Sequence, residues 1–251
     1  MRLLSLARDL SRRKAREKHS LFVAEGVRAV EELLRSGLAI EGALIAPQLE
    51  AAPRGQLLRS SLEAAGVDVL DVSEKDFRSA AETESPQGVI AIAAIPERNL
   101  NAFEAGTRSR VLVLDAVQDP GNVGTIVRTA AGLGATATIA LPGTVDLWNP
   151  KVIRSSMGAQ FVHPVFHASV PDLLTFLERC RIELWCADAG GDAMTTETVP
   201  DRLAIAFGNE GAGLSADVRA ASKKTVSLPI ASTVESLNVA VAAGIILYQL
   251  R

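Results

Sequence analysis

The residues best suited to chemistry lie in two glycine-bearing turns and one short polar stretch. The first turn is Gln118-Asp119-Pro120-Gly121-Asn122-Val123-Gly124, reached from the apolar run Val111-Leu112-Val113-Leu114 and Asp115. Asn122 reads as a helix N-cap, with Gly121 and Gly124 letting the chain turn sharply. In the helix that follows, Thr125, Arg128, Thr129 and Gly132 fall within a wedge of roughly 100°, while Ile126, Ala130 and Leu133 take another face. An arginine so placed can hold a phosphate or a developing oxyanion. Taken alone, an arginine at such a place reads more readily as a plain surface cation, and its spacing leaves both open. The second turn, Ala206-Phe207-Gly208-Asn209-Glu210-Gly211-Ala212-Gly213-Leu214-Ser215, ends another apolar run. Glycines without Cβ suit a flat, partly apolar ligand approached closely by main chain. Downstream stand Leu228-Pro229-Ile230 and Ser236-Leu237-Asn238-Val239-Ala240. Ser236 and Asn238 are short polar groups opening a terminal helix, where free amides favour an anion.

Several familiar site chemistries do not fit. Gly208, Gly211 and Gly213 are spaced GxxGxG, not the GxGxxG of a dinucleotide fingerprint, and no acidic residue follows at the required distance. No glycine cluster runs into Lys-Ser or Lys-Thr, which removes a Walker-type phosphate loop. Cys180 and Cys186 read as buried free thiols, and His19, His163 and His167 have no ligand spacing. No metal site is proposed.

The elements that must position these turns alternate between strand and helix. Residues 2–14 have a helical spacing through Leu3, Leu6, Ala7 and Leu10; strand, helix and strand follow at Ser20 to Ala24, Val27 to Leu34 and Ile40 to Ala46. A helix from Gln56 to Ala65 and strands at Val67 to Val72 and Gly88 to Ile95 complete a compact α/β sandwich with helices over both faces of a small sheet. The polar stretch around Pro96 to Arg110 is the best linker candidate. Beyond it, Val111 to Leu114, Ala137 to Leu141, Ile182 to Ala187 and Leu203 to Phe207 are nearly continuous apolar runs, suited to parallel strands buried on both faces. Helical patterns lie between them, at Lys151 to Met157 and Val170 to Arg179 among others, and the last spans Val234 to Leu250. Ligands of such sheets sit at the carboxyl ends of the strands, where both turns fall. The expected division is residues 1–97, a linker at 98–109, and a mainly parallel α/β domain at 110–251.

Composition adds limits. The chain has 251 residues, 48% apolar and 22% charged, an ordinary globular balance, and a net charge of -3. An acidic net charge argues against indiscriminate nucleic-acid binding. Yet Arg2, Arg8, Arg12, Arg13, Lys14, Arg16 and Lys18 face only Asp9 and Glu17 over that span, a local basic cluster that is either a solvated face or a phosphate-binding arm. Arg8, Asp9 and Arg12 leave no apolar signal core, and the greasy stretch Leu237 to Leu250 is too short to cross a membrane. A cytoplasmic location without membrane partners is expected.

Taken together, Asn122-x-Gly124-x-x-x-Arg128, Phe207-Gly208-Asn209-Glu210-Gly211-x-Gly213-Leu214, and Leu228-Pro229-Ile230 leading to Glu235-Ser236-Leu237-Asn238-Val239-Ala240 resemble the three motifs of the SpoU (TrmH-like) RNA 2′-O-ribose methyltransferases, in the family's order and spacing. The amino-terminal part resembles, less strongly, the ribosomal-protein-like RNA-binding domain often found ahead of it, chiefly through Phe22-Val23-Ala24-Glu25-Gly26. The resemblance implies an S-adenosylmethionine-dependent homodimer with a trefoil-knotted carboxyl-terminal domain. It places cofactor contacts at Gly208, Leu228, Ile230 and Leu237, and a catalytic set at Asn122, Arg128, Glu210, Ser236 and Asn238. A guanidinium rarely gives up its proton, so Arg128 is expected to stabilise the developing alkoxide or hold the adjacent phosphate, with Glu210 and Asn122 fixing its orientation. In an RNA enzyme the basic cluster reads as a phosphate grip, through Arg12, Arg13, Lys14, Arg16 and Lys18. Ribosomal RNA is favoured over transfer RNA because of the extra domain. A non-catalytic RNA-binding protein on the same fold and an unrelated nucleotide-dependent enzyme are the rival readings.

Overall fold

The structure, a computed structural model, describes residues 2–194 and 199–250. It divides into two compact units, one of Met1–Glu97 with Trp148–Val162, the other of Arg98–Leu147 with His163–Arg251. The sequence pattern puts residues 148–162 with the second half; by packing they belong with the first.

The first unit runs α1 (Arg2–Asp9), α2 (Arg13–His19), β1 (Leu21–Glu25), α3 (Val27–Ser36), β2 (Ile40–Ile45), α4 (Pro53–Ala64), β3 (Val69–Asp71), α5 (Glu74–Arg78) and β4 (Val89–Ala94). The strand order is β1-β4-β2-β3, antiparallel except for the parallel pair β2 and β3. On β4, Ile90 and Ile92 cluster with Ala7, Leu10 and Phe77, while Val89, Ala91 and Ala93 are equally buried, so the strand is covered on both faces. Gly37 ends α3 in the left-handed region, the role its position after the apolar stripe suggests.

The single amphipathic helix expected over residues 2–14 is instead two. Arg12 is extended between α1 and α2, and the turn is closed by Arg16, whose Nη1 donates to the carbonyls of Leu10 and Ser11, both at 2.8 Å. Arg16 is 2% exposed, which corrects its assignment to a phosphate grip: the guanidinium is committed to the chain's own carbonyls. Arg12 pairs with Asp9, and Arg13 with Glu17 at 2.7 Å, while Lys14 and Lys18 are exposed.

The second unit begins with β5 (Ser109–Asp115), α6 (Pro120–Gly132) and β6 (Ala137–Ala140). The chain then contributes α7 (Pro150–Ser156) and α8 (Ala159–Val162) to the first unit, where Trp148 and Phe161 lie 4.7 and 5.6 Å, ring to ring, from the buried Phe22. That aromatic contact is why the segment joins the amino-terminal body. The second unit resumes with β7 (Val165–His167), α9 (Val170–Cys180), β8 (Glu183–Ala193), β9 (Arg202–Gly208), α10 (Ala216–Ala221), β10 (Lys224–Ser227) and α11 (Val239–Gln249).

Its six strands are all parallel, in the order β10-β8-β9-β5-β6-β7. Continuous apolar runs become strands buried on both faces, as on β9, where Leu203 to Phe207 are all buried. Register pairs Asp115 with Gly208 and Ala187 with Phe207, so β5 and β9 finish level while β8 leaves β9 after Ala187 and runs on to Ala193 beside β10. The terminal helix α11 starts at Val239, later than the apolar pattern suggests, because Asn238 caps it. Its far end is held by the buried Arg110, which donates from Nε to the Leu250 carbonyl at 2.7 Å. No helix of the described residues is long and apolar enough to cross a membrane.

Candidate active site

The helix α6 is capped by Asp119, not by Asn122: the Asp119 carboxylate accepts from the Asn122 backbone N–H at 2.7 Å, and Pro120 takes the first helical position. Proline there has no N–H to leave unsatisfied and a φ already helical. Asn122 is thereby freed from capping, and its side chain does something else. Its Nδ2 donates to Glu210 Oε1 at 2.9 Å, and its Oδ1 accepts from Asn238 Nδ2 at 2.9 Å. Asn238 in turn uses its own Oδ1 to cap α11, accepting from the backbone N–H of Ala240 at 2.9 Å and of Val241 at 3.3 Å. Because a carboxylate only accepts, Glu210 dictates which way both amides point. Three residues from three motifs thus form one directed chain of hydrogen bonds.

The glycine-rich turn owes its shape to close main-chain contact. A Cβ on Gly208 would lie 2.3 Å from the Gly213 carbonyl carbon and 2.5 Å from the Leu214 nitrogen. Asn209 and Gly213 exchange two backbone hydrogen bonds, at 3.0 and 2.9 Å, and Gly213 sits at φ 71°. The Asn209 side chain finishes the turn, accepting from the N–H groups of Gly211 and Ala212 and donating to the Ala116 carbonyl. Asp115 adds a further tie, accepting from the Ser215 N–H at 2.7 Å.

This turn forms one wall of a cleft of about 520 Å³ at the carboxyl ends of the parallel strands. Gly208, Leu228, Ile230 and Leu237, the residues matched to cofactor contacts, all line it, as do Glu210, Ser236 and Asn238. Ile230 and Leu237 are each about a third exposed there, presenting apolar surface beside main chain. Its size and its mix of apolar wall and few polar groups are those of a small-molecule site.

Arg128 is not brought into this arrangement. Six residues from Asn122, it lies roughly 120° round α6 from it, is exposed, and is not among the residues lining the cleft. The expected orientation of Arg128 by Asn122 and Glu210 is therefore not found: Glu210 accepts from Asn122 instead. The face of α6 near Asn122 is turned to α11, where Thr129 Cγ2 stands 3.4 Å from the position of a Cβ on Gly244.

Sequence reasoning passed over one charged lining residue, Asp188, immediately beyond Ala187 on β8. Its Oδ1 accepts from the Gly190 N–H at 3.0 Å and its Oδ2 from Arg219 Nη2 at 2.5 Å, and these bonds hold its carboxyl below the usual carboxylate range. The signal was present, since a carboxylate ending an apolar run stands at the ligand-bearing end of a parallel strand.

A parallel α/β unit with a glycine-walled cleft and converging amides at its strand ends has the form of a small-ligand-binding protein. Residues 109–248 match the SpoU rRNA Methylase family, and residues 5–91 match the MRM3-like substrate binding domain. The chain belongs to the SpoU rRNA methylase family. It is 35% identical over 246 residues, 97% of this chain and 94% of the other, to the 23S rRNA (guanosine(2553)-2′-O)-methyltransferase RlmP of Bacillus subtilis. It is 31% identical to the 23S rRNA (uridine(2479)-2′-O)-methyltransferase of Streptomyces viridochromogenes, over 96% of this chain and 85% of that one. Among solved structures, the SpoU methyltransferase AviRb of S. viridochromogenes in complex with AdoMet superposes with a TM-score of 0.90 at 27% identity, covering 98% of this chain and 96% of that one. An AdoMet-bound rRNA methyltransferase from Sinorhizobium meliloti gives 0.86 at 28% identity, covering 99% and 94%.

Proposed function

We propose that this protein transfers the methyl group of S-adenosylmethionine to a ribose 2′-hydroxyl of ribosomal RNA. The observation that carries the reading is the Glu210–Asn122–Asn238 hydrogen-bond chain at a glycine-walled cleft. The cofactor fits the residues present: Leu228, Ile230 and Leu237 offer apolar surface to a flat purine, and the Gly208–Gly213 contact leaves main chain bare. When bound, S-adenosylmethionine supplies an electrophilic methyl carbon on its sulfonium.

The chain's own residues then orient the attacking hydroxyl and take up its proton. Asn122, locked between Glu210 and Asn238, holds polar groups in fixed directions, so little reorganisation accompanies the reaction. Glu210 is the acceptor toward which a proton can pass. Ser236, on the cleft wall before the cap of α11, adds a short hydroxyl to this end. Arg128, outside its own chain's cleft, acts as a cation for an RNA phosphate or the developing alkoxide, not as a base.

The amino-terminal unit grips RNA, with Arg12, Arg13, Lys14 and Lys18 as phosphate contacts on its exposed basic helices. The match of residues 5–91 to a substrate binding domain supports this. A trefoil knot and a homodimer are inferred for the second unit. The knot rests on the similarity to solved SpoU methyltransferases. The dimer is favoured by the apolar surface that Val241, Ile245 and Tyr248 leave on α11, each at least 39% exposed. Incubating the protein with methyl-labelled S-adenosylmethionine and purified ribosomal or transfer RNA tests the reading. Label entering ribosomal RNA supports it; label confined to transfer RNA, or to neither, contradicts it.

A further inference from the structure

The cleft holds a charged group that the three family motifs leave out. Asp188 lies within β8 just past Ala187, its last residue paired with β9, and two of the roughly four lone-pair sites of its carboxylate are taken, one by the Gly190 N–H and one by Arg219. The remaining lone pair on each oxygen is available at the wall of the cleft. Arg219 is itself fixed: its Nε donates to the Leu214 carbonyl at 3.2 Å, and its Nη2 would stand 3.2 Å from a Cβ on Gly213. The pair therefore ties the glycine-rich turn to the neighbouring strand and aims the carboxylate at the same time.

Sheet order says which part of the cofactor Asp188 meets. Strands run β10-β8-β9-β5, and the cleft crosses their carboxyl ends. Leu228 and Ile230 follow β10 and supply the apolar, main-chain end suited to the purine. Asn122 follows β5 and, with Glu210 beyond β9, marks the reactive end. A ligand laid from purine to reactive methyl in this direction passes β8 next after β10 and before β9. In S-adenosylmethionine the group between purine and sulfonium is the ribose, a pair of hydroxyl donors, and a carboxylate that only accepts is its natural counterpart.

We propose that Asp188 binds the ribose hydroxyls of the cofactor, with Arg219 as the positioning residue that aims it. This rests on the reading that the cleft takes S-adenosylmethionine. The proposal is tested by calorimetric titration of the wild type, Asp188→Asn and Arg219→Lys with two ligands, S-adenosylmethionine and its 2′,3′-dideoxyribose analogue. Asp188→Asn is expected to weaken S-adenosylmethionine binding by roughly ten- to a hundredfold, the worth of hydrogen bonds to a charged acceptor. The analogue should bind wild type and Asp188→Asn equally weakly. Arg219→Lys should show the same ligand-selective loss at smaller size. In turnover, Asp188→Asn should raise the KM for the cofactor and leave kcat nearly unchanged. Equal losses for both ligands, or no loss for either, would overturn the proposal and make the pair a strut between β8 and the turn. Wild-type protein that binds neither ligand would overturn the cofactor reading itself.

Discussion

Replacing Gly208 by alanine adds one methyl group where the structure has least room for it. The new Cβ would stand 2.3 Å from the Gly213 carbonyl carbon and 2.5 Å from both the Gly213 oxygen and the Leu214 nitrogen, all main-chain atoms. Restoring ordinary contact requires the two strands of the turn to part by about 1 Å. That movement pulls against the paired Asn209–Gly213 hydrogen bonds at 3.0 and 2.9 Å. Overpacking costs about 1–3 kcal/mol, and losing both bonds adds about 1 kcal/mol each. If about 2 kcal/mol of this falls on the cleft wall, affinity for S-adenosylhomocysteine drops about thirtyfold. Gly211→Ala is the matched control: its Cβ would meet only Asn209 Oδ1, at an ordinary 3.7 Å. Calorimetric titration alongside a thermal melt separates loss of the cleft from loss of the fold. A folded Gly208→Ala protein that binds the ligand within about threefold of wild type would refute this reasoning.

Asn122→Ala cuts the link between Glu210 and Asn238; methyl transfer should fall about ten- to a hundredfold while S-adenosylhomocysteine affinity, read by titration, stays within about threefold. Arg16→Ala strands the Leu10 and Ser11 carbonyls and should destabilise the protein by about 1–3 kcal/mol in denaturant melts. The double variant Lys14→Glu, Lys18→Glu should leave that stability alone, weaken RNA binding in filter assays, and make its salt slope shallower by roughly 1.5–2. His163, buried against Thr138, has its pKa pushed down to about 4, first by burial and then by Arg98. Its neutral form is favoured by folding, so its contribution is complete above the ordinary value of 6.5 and is lost as pH falls from there toward 4. Up to about 3 kcal/mol of stability is at stake, and in denaturant melts His163→Gln should lose less stability than wild type between pH 7 and 4.5.

The second unit was largely legible because its strands are buried on both faces, and such strands read as unbroken apolar runs ended by the turns that bear ligands. The glycine-rich turn was legible as a place where main chain is closely approached, but the sequence suggested a ligand there, and the structure shows that Gly208 is also crowded by the backbone of Gly213 and Leu214. What stayed hidden depends on contacts distant in sequence. Asn122 looked like a cap because caps are polar and precede helices, but Asp119 followed by Pro120 competes better for that place and releases Asn122 to Glu210, 88 residues away. Arg16 looked like one more surface cation in a basic run, since composition cannot show that two helix-end carbonyls lie within its reach. Residues 148–162 sat between strand patterns of the second half, and only the packing of Trp148 and Phe161 on Phe22 shows that they belong to the first unit. For Arg128 the motif was readable and the geometry was not, because position around a helix decides which neighbours it meets.

The central claim, methylation of a ribose 2′-oxygen, is tested most directly by alkaline hydrolysis of ribosomal RNA labelled by the purified protein and methyl-labelled S-adenosylmethionine. Alkaline cleavage needs a free 2′-hydroxyl, so a methyl placed there protects the adjacent linkage. Label recovered in alkali-resistant dinucleotides is the expected result. Label recovered in mononucleotides, which would put the methyl on a base, would contradict it.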